Sequence, residues 1–128
     1  MRQLAATLIL LIGLIPANVS ASDRPVVVEL FTSQGCSSCP PADRLLKELV
    51  KGDDVIGLSW HVDYWDYICW KDVFADPEYT KRQKYYAHAM GEKMIYTPQM
   101  IVGGVAHVVG SDNPKVMALV NDAKGEDV

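Results

Sequence analysis

Cys36 and Cys39 are separated by two residues and stand between a strand-forming run and a run with helical spacing. The run before them, Val26–Phe31, is largely β-branched and apolar, as expected for a strand buried on both faces. Leucines at helical spacing follow the cysteines, and Val55–Trp60 then predicts a second strand. The pair therefore lies in the loop of a βαβ unit, which favours two parallel strands and a right-handed crossover.

The remainder of the chain predicts a helix, a hairpin and a last helix. Asp76–Met90 is typical of a helix with an N-cap candidate at its start and proline at the first helical position. Gln99–Val102 and Val105–Val109 predict two strands joined by a Gly-Gly turn, and an amphipathic helix begins at Asn113. This element order is that of a minimal thioredoxin-like fold. We therefore predict an α/β domain with a mixed four-stranded sheet and helices on both faces.

The N-terminus predicts export. Met1–Gln3 is weakly basic, Leu4–Ile15 is almost unbroken aliphatic, and small residues lead up to Ala21, as in a secretory signal peptide. The apolar run is shorter than the ~20 residues that span a bilayer, so a retained membrane anchor is the less favoured alternative. Residues 1–21 are therefore predicted to be a signal peptide and residues 22–128 the thioredoxin-like domain. Its predicted location is the periplasm or the outside medium, where disulfides persist.

Charge and length exclude some classes of function. The 128 residues carry a formal net charge of −4, which argues against a nucleic-acid-binding module with a basic face. The length suits one compact domain. We expect a protein or small-molecule thiol or disulfide as partner, no nucleic acid and no stable membrane anchor after cleavage. The oligomeric state stays open.

A CxxC pair at the start of a helix is typical of a redox-active dithiol, because a helix N-terminus stabilises a thiolate. Cys36 is then the exposed nucleophile and Cys39 resolves the mixed disulfide. The alternatives are a static disulfide or a zinc or copper site that also uses His61 or His107. A zinc site needs four ligands, and the remaining histidines and cysteine show no ligand spacing. We therefore favour the redox pair, with no metal and no cofactor.

Two prolines, Pro40 and Pro41, directly follow the second cysteine. Because proline has no N–H, such a pair is tolerated only within or before the first helical turn. The helix therefore begins near Cys39 or has an irregular first turn. Asp43 either complements the helix start or lies near the buried sulfur and disfavours its thiolate.

Pro98 stands at the start of a predicted central strand. Proline is unusual there because it lacks the N–H that a central strand uses for hydrogen bonding. In thioredoxin-like folds a proline at this point forms a cis X–Pro bond beside the cysteines and exposes the backbone of the preceding residue, here Thr97, to an extended substrate. An ordinary trans proline in a turn is the alternative. We predict the cis bond and assign Thr97 and Pro98 to substrate binding.

The segment Trp60–Trp70 holds five aromatic residues and a histidine in eleven positions. One interpretation is an aromatic wall beside the dithiol that grips a partner. We favour the other, in which most rings pack the segment onto the domain and one or two reach the cysteine cleft. Cys69 lies between Ile68 and Trp70, so we expect a buried free thiol, with a cross-link between chains as the alternative.

Three segments together resemble one known family: Val28–Asp43, His61–Asp66 and Tyr96–Met100 are similar to the exported bacterial thioredoxin-like family named domain of unknown function 1223. The resemblance extends from about Val26 to Val109. It implies a thioredoxin-like fold with Cys36 and Cys39 as the redox pair, but it supplies no substrate. Family members usually continue well beyond the last residue of this chain.

The leading hypothesis is therefore an exported thiol–disulfide oxidoreductase. In this hypothesis Cys36 attacks, Cys39 resolves, and Thr97-Pro98 docks the substrate backbone. One alternative is a copper- or zinc-binding thioredoxin-like protein, since soft thiolates favour Cu(I). The other is a non-enzymatic interaction domain that uses the aromatic surface.

Overall fold

The structure is a computed structural model that describes residues 24–125, so the predicted signal peptide lies outside the described residues. The elements follow the predicted order: β1 (Val26–Thr32), α1 (Pro40–Leu49), β2 (Val55–His61), α2 (Pro77–Ala89), β3 (Gln99–Val102), β4 (Ala106–Val109) and α3 (Asn113–Gly125). Across residues 24–125, no helix is long and apolar enough to cross a membrane.

The strands form one mixed sheet in the order β2-β1-β3-β4. β1 runs parallel to β2 and antiparallel to β3, and β4 is antiparallel to β3. This confirms the predicted thioredoxin-like fold. β4 begins at Ala106, one residue later than predicted, because Val102 pairs with Ala106 and three residues connect the strands. Gly103 and Gly104 both have positive φ in that connection, a conformation that favours glycine.

The sheet carries a core on each face. On one face, Leu30 of β1 packs with Ala42 and Leu46 of α1 and with Val116 and Val120 of α3. Successive strand residues point to opposite faces, so the next residue of β1, Phe31, faces the other way. There it packs with a second cluster that includes residues of α2 and of the β2–α2 connection: Val62, Ile101, Trp60, Tyr64, Trp65, Tyr86 and Met90.

Helix α1 lies very close to β2 at Gly57. A Cβ atom at Gly57 would be 2.4 Å from Val50 Cγ1 and 2.9 Å from Leu46 Cδ1. The absence of a side chain therefore permits the close approach of the helix that follows the cysteines.

Glu29 is a buried carboxylate on the α2 side of β1. It accepts hydrogen bonds from Trp60 Nε1 at 2.7 Å, from Arg82 Nε at 2.6 Å and from the Tyr86 hydroxyl. Burial by itself raises the pKa of Glu29, but these three donors outweigh it and hold the pKa below its ordinary value. The carboxylate thereby ties α2 to β1 and β2.

Candidate active site

Cys36 and Cys39 form a disulfide in the loop between β1 and α1, with their Cα atoms 5.4 Å apart. The residues between them, Ser37 and Ser38, are exposed. Cys36 is buried rather than exposed as expected, and the Thr97 hydroxyl contacts its sulfur. It is still the more accessible member of the pair, at 3% exposure against 0% for Cys39.

Helix α1 begins directly after the disulfide. Cys39 is its N-cap residue, and Pro40 and Pro41 occupy the first helical positions, where an intrahelical N–H is not needed. Of the two alternatives for this region, the helix start near Cys39 is therefore the one observed. Asp43 lies in the first turn, and its carboxylate accepts the Thr32 hydroxyl at 2.7 Å.

Thr97 contacts the disulfide from across the site. The Thr97-Pro98 bond is cis, as predicted, and Pro98 is buried at the start of β3. The Thr97 hydroxyl donates a hydrogen bond to Cys36 Sγ at 3.2 Å, and Ser38 Oγ lies 3.6 Å from the same sulfur. The fold therefore brings the predicted site residues of two distant segments together.

Trp65 also reaches this site. Its Nε1 donates a hydrogen bond to Thr97 Oγ1 at 2.7 Å. The backbone of Trp65 packs against Gly35, where a Cβ would be 3.1 Å from Trp65 Cβ and 3.2 Å from Trp65 O. Trp65 thus lies beside the loop before Cys36 through its Cβ and backbone oxygen, and its indole N–H contacts the hydroxyl beside the Cys36 sulfur.

Gln83 of α2 holds the segment that carries Thr97. It is fully buried, and its Nε2 donates to the Tyr96 carbonyl at 2.6 Å and to Gln99 Oε1 at 2.8 Å. Its Oε1 accepts the Tyr64 hydroxyl at 2.9 Å. Burial raises the pKa of Tyr64 to about 12, so this hydroxyl keeps its proton at physiological pH. Gln83 therefore fixes the residues on both sides of the Thr97-Pro98 bond.

Asp72 ties the β2–α2 connection, residues 62–76, to the loop before the cysteines. Its carboxylate is buried and accepts the Gln34 N–H at 2.8 Å, His61 Nδ1 at 2.6 Å and the Phe74 N–H at 2.9 Å. Burial alone raises the pKa of Asp72, but these hydrogen bonds hold it below its ordinary value. The negative charge at this position is therefore retained near neutral pH.

The sequence profile of a family described as protein of unknown function (DUF1223) matches residues 27–128. The chain belongs to this family. The resemblance found in the sequence is thereby confirmed.

Among solved structures, the crystal structure of a protein from Agrobacterium tumefaciens is 49% identical to this DUF1223 chain, with a TM-score of 0.74. The match covers 77% of this chain and 45% of that one, so this chain spans less than half the length of that relative. A thioredoxin from Wuchereria bancrofti is 16% identical, with a TM-score of 0.43 over 80% of this chain and 84% of that one. No curated protein matches the sequence.

The site of this DUF1223 chain includes residues that sequence reasoning did not single out: Trp65, Gln83 and Asp72. Trp65 was one of five aromatic residues with no signal that distinguished it. Gln83 is a polar residue in a helix without a clear apolar stripe, and Asp72 follows a surface segment. Only their contacts with distant residues reveal what they hold in place.

The β2–α2 connection also exposes apolar side chains. An exposed apolar strip consists of Tyr67, Ile68, Trp70, Val73 and Phe74. It adjoins the cysteine loop, because Trp70 Nε1 donates to Gln34 Oε1 at 2.9 Å. Cys69 lies within this strip and is an exposed free thiol, so the prediction of a buried thiol is wrong. Its apolar neighbours, Ile68 and Trp70, are themselves exposed and therefore provide no core to enclose it.

The two histidines named for a metal site lie in other hydrogen-bonded pairs. His61 pairs with Asp72, while His107 bonds the Tyr96 hydroxyl at 2.9 Å and Glu92 at 3.1 Å. Over the described range 24–125, no group of three or more His, Cys, Asp or Glu side chains is arranged to hold a metal ion.

Two pockets lie along β2 rather than at the disulfide. One of about 300 Å³ is lined in part by Asp43, Lys47 and His61, and another of about 380 Å³ by His61, Phe74 and Tyr79. Neither is lined by a cysteine.

Proposed function

We propose that this protein is an exported thiol–disulfide oxidoreductase that acts on protein or small-molecule thiols and disulfides. The observation that carries the proposal is the hydrogen bond from Thr97, the residue before a cis proline, to the sulfur of Cys36 at 3.2 Å. It combines a CxxC disulfide at a helix start with a polar group aimed at its more accessible sulfur. A purely structural disulfide needs no such group.

The proposed exchange is balanced within the protein and its substrate. A substrate thiolate attacks Cys36 Sγ, a mixed disulfide forms, and the Cys36–Cys39 bond breaks. Cys39 leaves as a thiolate and takes up a proton. A second substrate thiolate attacks the substrate sulfur of the mixed disulfide and releases Cys36. The substrate dithiol thus loses two electrons and becomes a disulfide, while the protein becomes a dithiol, and the reverse sequence reduces a substrate disulfide.

The site supplies hydrogen-bond donors to the Cys36 thiolate formed in this cycle. Thr97 already donates to the sulfur, and the Ser38 hydroxyl lies 3.6 Å from it. Hydrogen bonds to a charged group are about twice as strong as those between neutral groups. The two hydroxyls therefore stabilise Cys36 as the leaving group of the second step and as the nucleophile in the reverse direction.

Substrate docking is proposed at Thr97 and Pro98, with Cys36 and Cys39 as the catalytic residues. Pro98 is buried, carries no N–H and uses its carbonyl to accept the Gly110 N–H, so the backbone offered to a substrate at this point is that of the half-buried Thr97. An extended substrate segment can pair with that backbone while its sulfur approaches Cys36.

Equilibration with glutathione and glutathione disulfide tests the proposal. The protein carries Cys69→Ser, is equilibrated at a series of ratios, quenched with acid and alkylated for mass analysis. We expect Cys36 and Cys39 to interconvert together in one two-electron transition. A pair that stays wholly oxidised or wholly reduced over the full series would contradict the proposal.

Single variants separate the two roles. Cys39→Ser should accumulate a glutathione adduct at Cys36, because no resolving thiol remains, whereas Cys36→Ser should form little adduct at the more buried Cys39. Equal adduct formation in both variants would contradict the assignment of nucleophile. A Cys36→Ser, Cys39→Ser double variant with full biological activity would instead support an interaction domain.

Export is proposed from residues 1–21 and is tested separately. Expression of the full chain in a bacterium, followed by fractionation and N-terminal sequencing, should give a chain that begins at Ser22 outside the cytoplasm. An uncleaved chain in the cytoplasmic fraction would contradict it.

A further inference from the structure

We propose that Trp65 is a positioning residue for the dithiol: its indole N–H orients the Thr97 hydroxyl toward Cys36 Sγ and thereby stabilises the Cys36 thiolate. This inference deepens the proposed function and rests on it for the consequence in thiol–disulfide exchange. The hydrogen bonds themselves can be tested without any substrate.

Two consecutive hydrogen bonds link the indole to the sulfur. Trp65 Nε1 donates to Thr97 Oγ1 at 2.7 Å, and Thr97 Oγ1 donates to Cys36 Sγ at 3.2 Å. An indole N–H is only a donor, whereas a hydroxyl has one hydrogen and two acceptor sites. Trp65 therefore occupies an acceptor site of Thr97 and cannot take its hydrogen. The hydroxyl hydrogen is left for another acceptor, and the sulfur is within reach.

Trp65 is itself held from two sides. Its ring packs against the cluster of Phe31, Val62 and Ile101, and its backbone abuts Gly35. The hydroxyl of the adjacent Tyr64 donates to Gln83 and also lies beside Thr97, so its oxygen is the other acceptor near the Thr97 hydroxyl. The indole is therefore a fixed donor, which limits the rotation of the Thr97 hydroxyl.

The start of α1 makes this hydroxyl more important than it would be beside an ordinary helix. Pro40 and Pro41 remove two of the N–H groups that a helix N-terminus usually offers to a thiolate. Within residues 24–125, the side-chain hydrogen bonds to Cys36 Sγ come from Thr97 and Ser38, both uncharged. A change at Trp65 should therefore act on the thiolate through Thr97.

The test uses chemically reduced protein in a Cys69→Ser background and follows alkylation of Cys36 by iodoacetamide over a range of pH. Trp65→Phe keeps most of the ring but loses the N–H. We expect the midpoint pH of alkylation to rise and thiolate formation to fall about three- to tenfold, as for a lost hydrogen bond that supports a charged group. Glutathione equilibration should shift toward the disulfide by a similar factor, because a less stable thiolate disfavours the reduced form.

A double-mutant cycle distinguishes positioning from packing. Thr97→Val should raise the midpoint at least as much as Trp65→Phe, and Trp65→Phe should then add nothing in the Thr97→Val background. In the Thr97→Ser variant, which keeps the hydroxyl, Trp65→Phe should still raise the alkylation midpoint. Trp60→Phe is the matched control, since Trp60 Nε1 donates to Glu29 at 2.7 Å and not to the site. It should leave the alkylation midpoint unchanged.

Several outcomes would overturn the inference. An unchanged midpoint in Trp65→Phe, an equal shift in the Thr97→Val background, or the same shift in Trp60→Phe would each do so. Because alkylation needs only reduced protein, these results stand whether or not the protein exchanges with glutathione. Failure of exchange in the parent protein would instead count against the proposed function alone.

Discussion

The Asp72 carboxylate accepts the backbone N–H of Gln34 at 2.8 Å, and so a residue of the β2–α2 connection fixes the loop that leads into Cys36. The two residues are 38 positions apart in the chain. The carboxylate also accepts two further hydrogen bonds while its side chain is 0% exposed. A buried anion therefore helps to fix the position of the cysteine loop.

Asp72→Asn should destabilise the oxidised protein. The substitution replaces an acceptor oxygen by an NH₂ group, which then faces a buried donor, and we expect a loss of about 1 to 3 kcal/mol in the free energy of unfolding. Urea denaturation measures it. Asp66→Asn is the control: Asp66 Oδ1 accepts the Asp72 N–H at 3.1 Å, and asparagine keeps that acceptor. Equal losses in the two variants would contradict the role given to Asp72.

Glu29→Gln should destabilise the fold for a related reason. Removing the charge leaves Arg82 without its partner, but Arg82 is 44% exposed and can regain water. We therefore expect a loss of about 2 kcal/mol, below the ~3 to 5 of a fully buried pair. Glu78→Gln is the control, because its pair with Lys81 is 68% exposed on both sides and should contribute little. A similar loss in both variants would show that burial of Glu29 does not matter.

The two anions also predict how stability depends on pH. The pKa values of Glu29 and Asp72 are lowered in the folded state from 4.5 and 3.8. Near and below those ordinary values the unfolded chain binds more protons than the folded one, so stability falls as pH falls. We expect the two carboxylates to make a nearly constant contribution to the free energy of unfolding from neutral pH to about pH 5, and this contribution to be lost progressively below about pH 5. In urea denaturation across this pH range, the stability of a Glu29→Gln, Asp72→Asn double variant should fall less steeply with acid than that of the parent. An equally steep fall in the double variant would contradict the role given to these two carboxylates.

Parts of this molecule were predictable because their signals are local in sequence. The β-branched run of β1, the Asp76-Pro77 helix start and the two glycines after β3 each specify a backbone conformation within a few residues. The cis bond at Pro98 was predictable because a central strand rarely begins with proline and because thioredoxin-like folds, which the CxxC pair and element order indicated, have a cis proline at this point. These signals suffice for the element order and for the meeting of Cys36 with Thr97.

The supporting contacts were not predictable in this way. Trp65 and Thr97 are 32 positions apart, and nothing near Trp65 distinguishes it from the other rings of its segment. The prediction for Cys69 failed for a different reason: its apolar neighbours, Ile68 and Trp70, indicated that the thiol is buried. Those neighbours belong to an exposed part of the β2–α2 connection, where local hydrophobicity does not indicate burial. Such contacts depend on how the connection folds back onto the sheet.

Exposure of Cys69 gives a direct test with unreduced protein. A maleimide should label the native chain at one site, because Cys36 and Cys39 are bonded and Cys69 is exposed. Labelling should disappear in Cys69→Ser and should leave the urea midpoint of the parent nearly unchanged. Labelling that requires denaturant would contradict the exposed position.

The exposed apolar strip predicts a preference for polypeptide substrates, on the basis of the proposed function. Tyr67 is 80% exposed in the strip that adjoins the cysteine loop, and a large aromatic surface can contact apolar side chains of an unfolded substrate. Tyr67→Ser should therefore raise KM for a reduced, unfolded polypeptide about three- to tenfold, the equivalent of ~1 kcal/mol of contact. Its exchange rate with glutathione should stay the same, because so small a thiol reaches Cys36 without the strip. Tyr85→Ser is the matched control, since Tyr85 is 71% exposed on α2, outside the strip. An equal rise in KM for both variants, or a parallel loss with glutathione, would show that the strip does not select polypeptides.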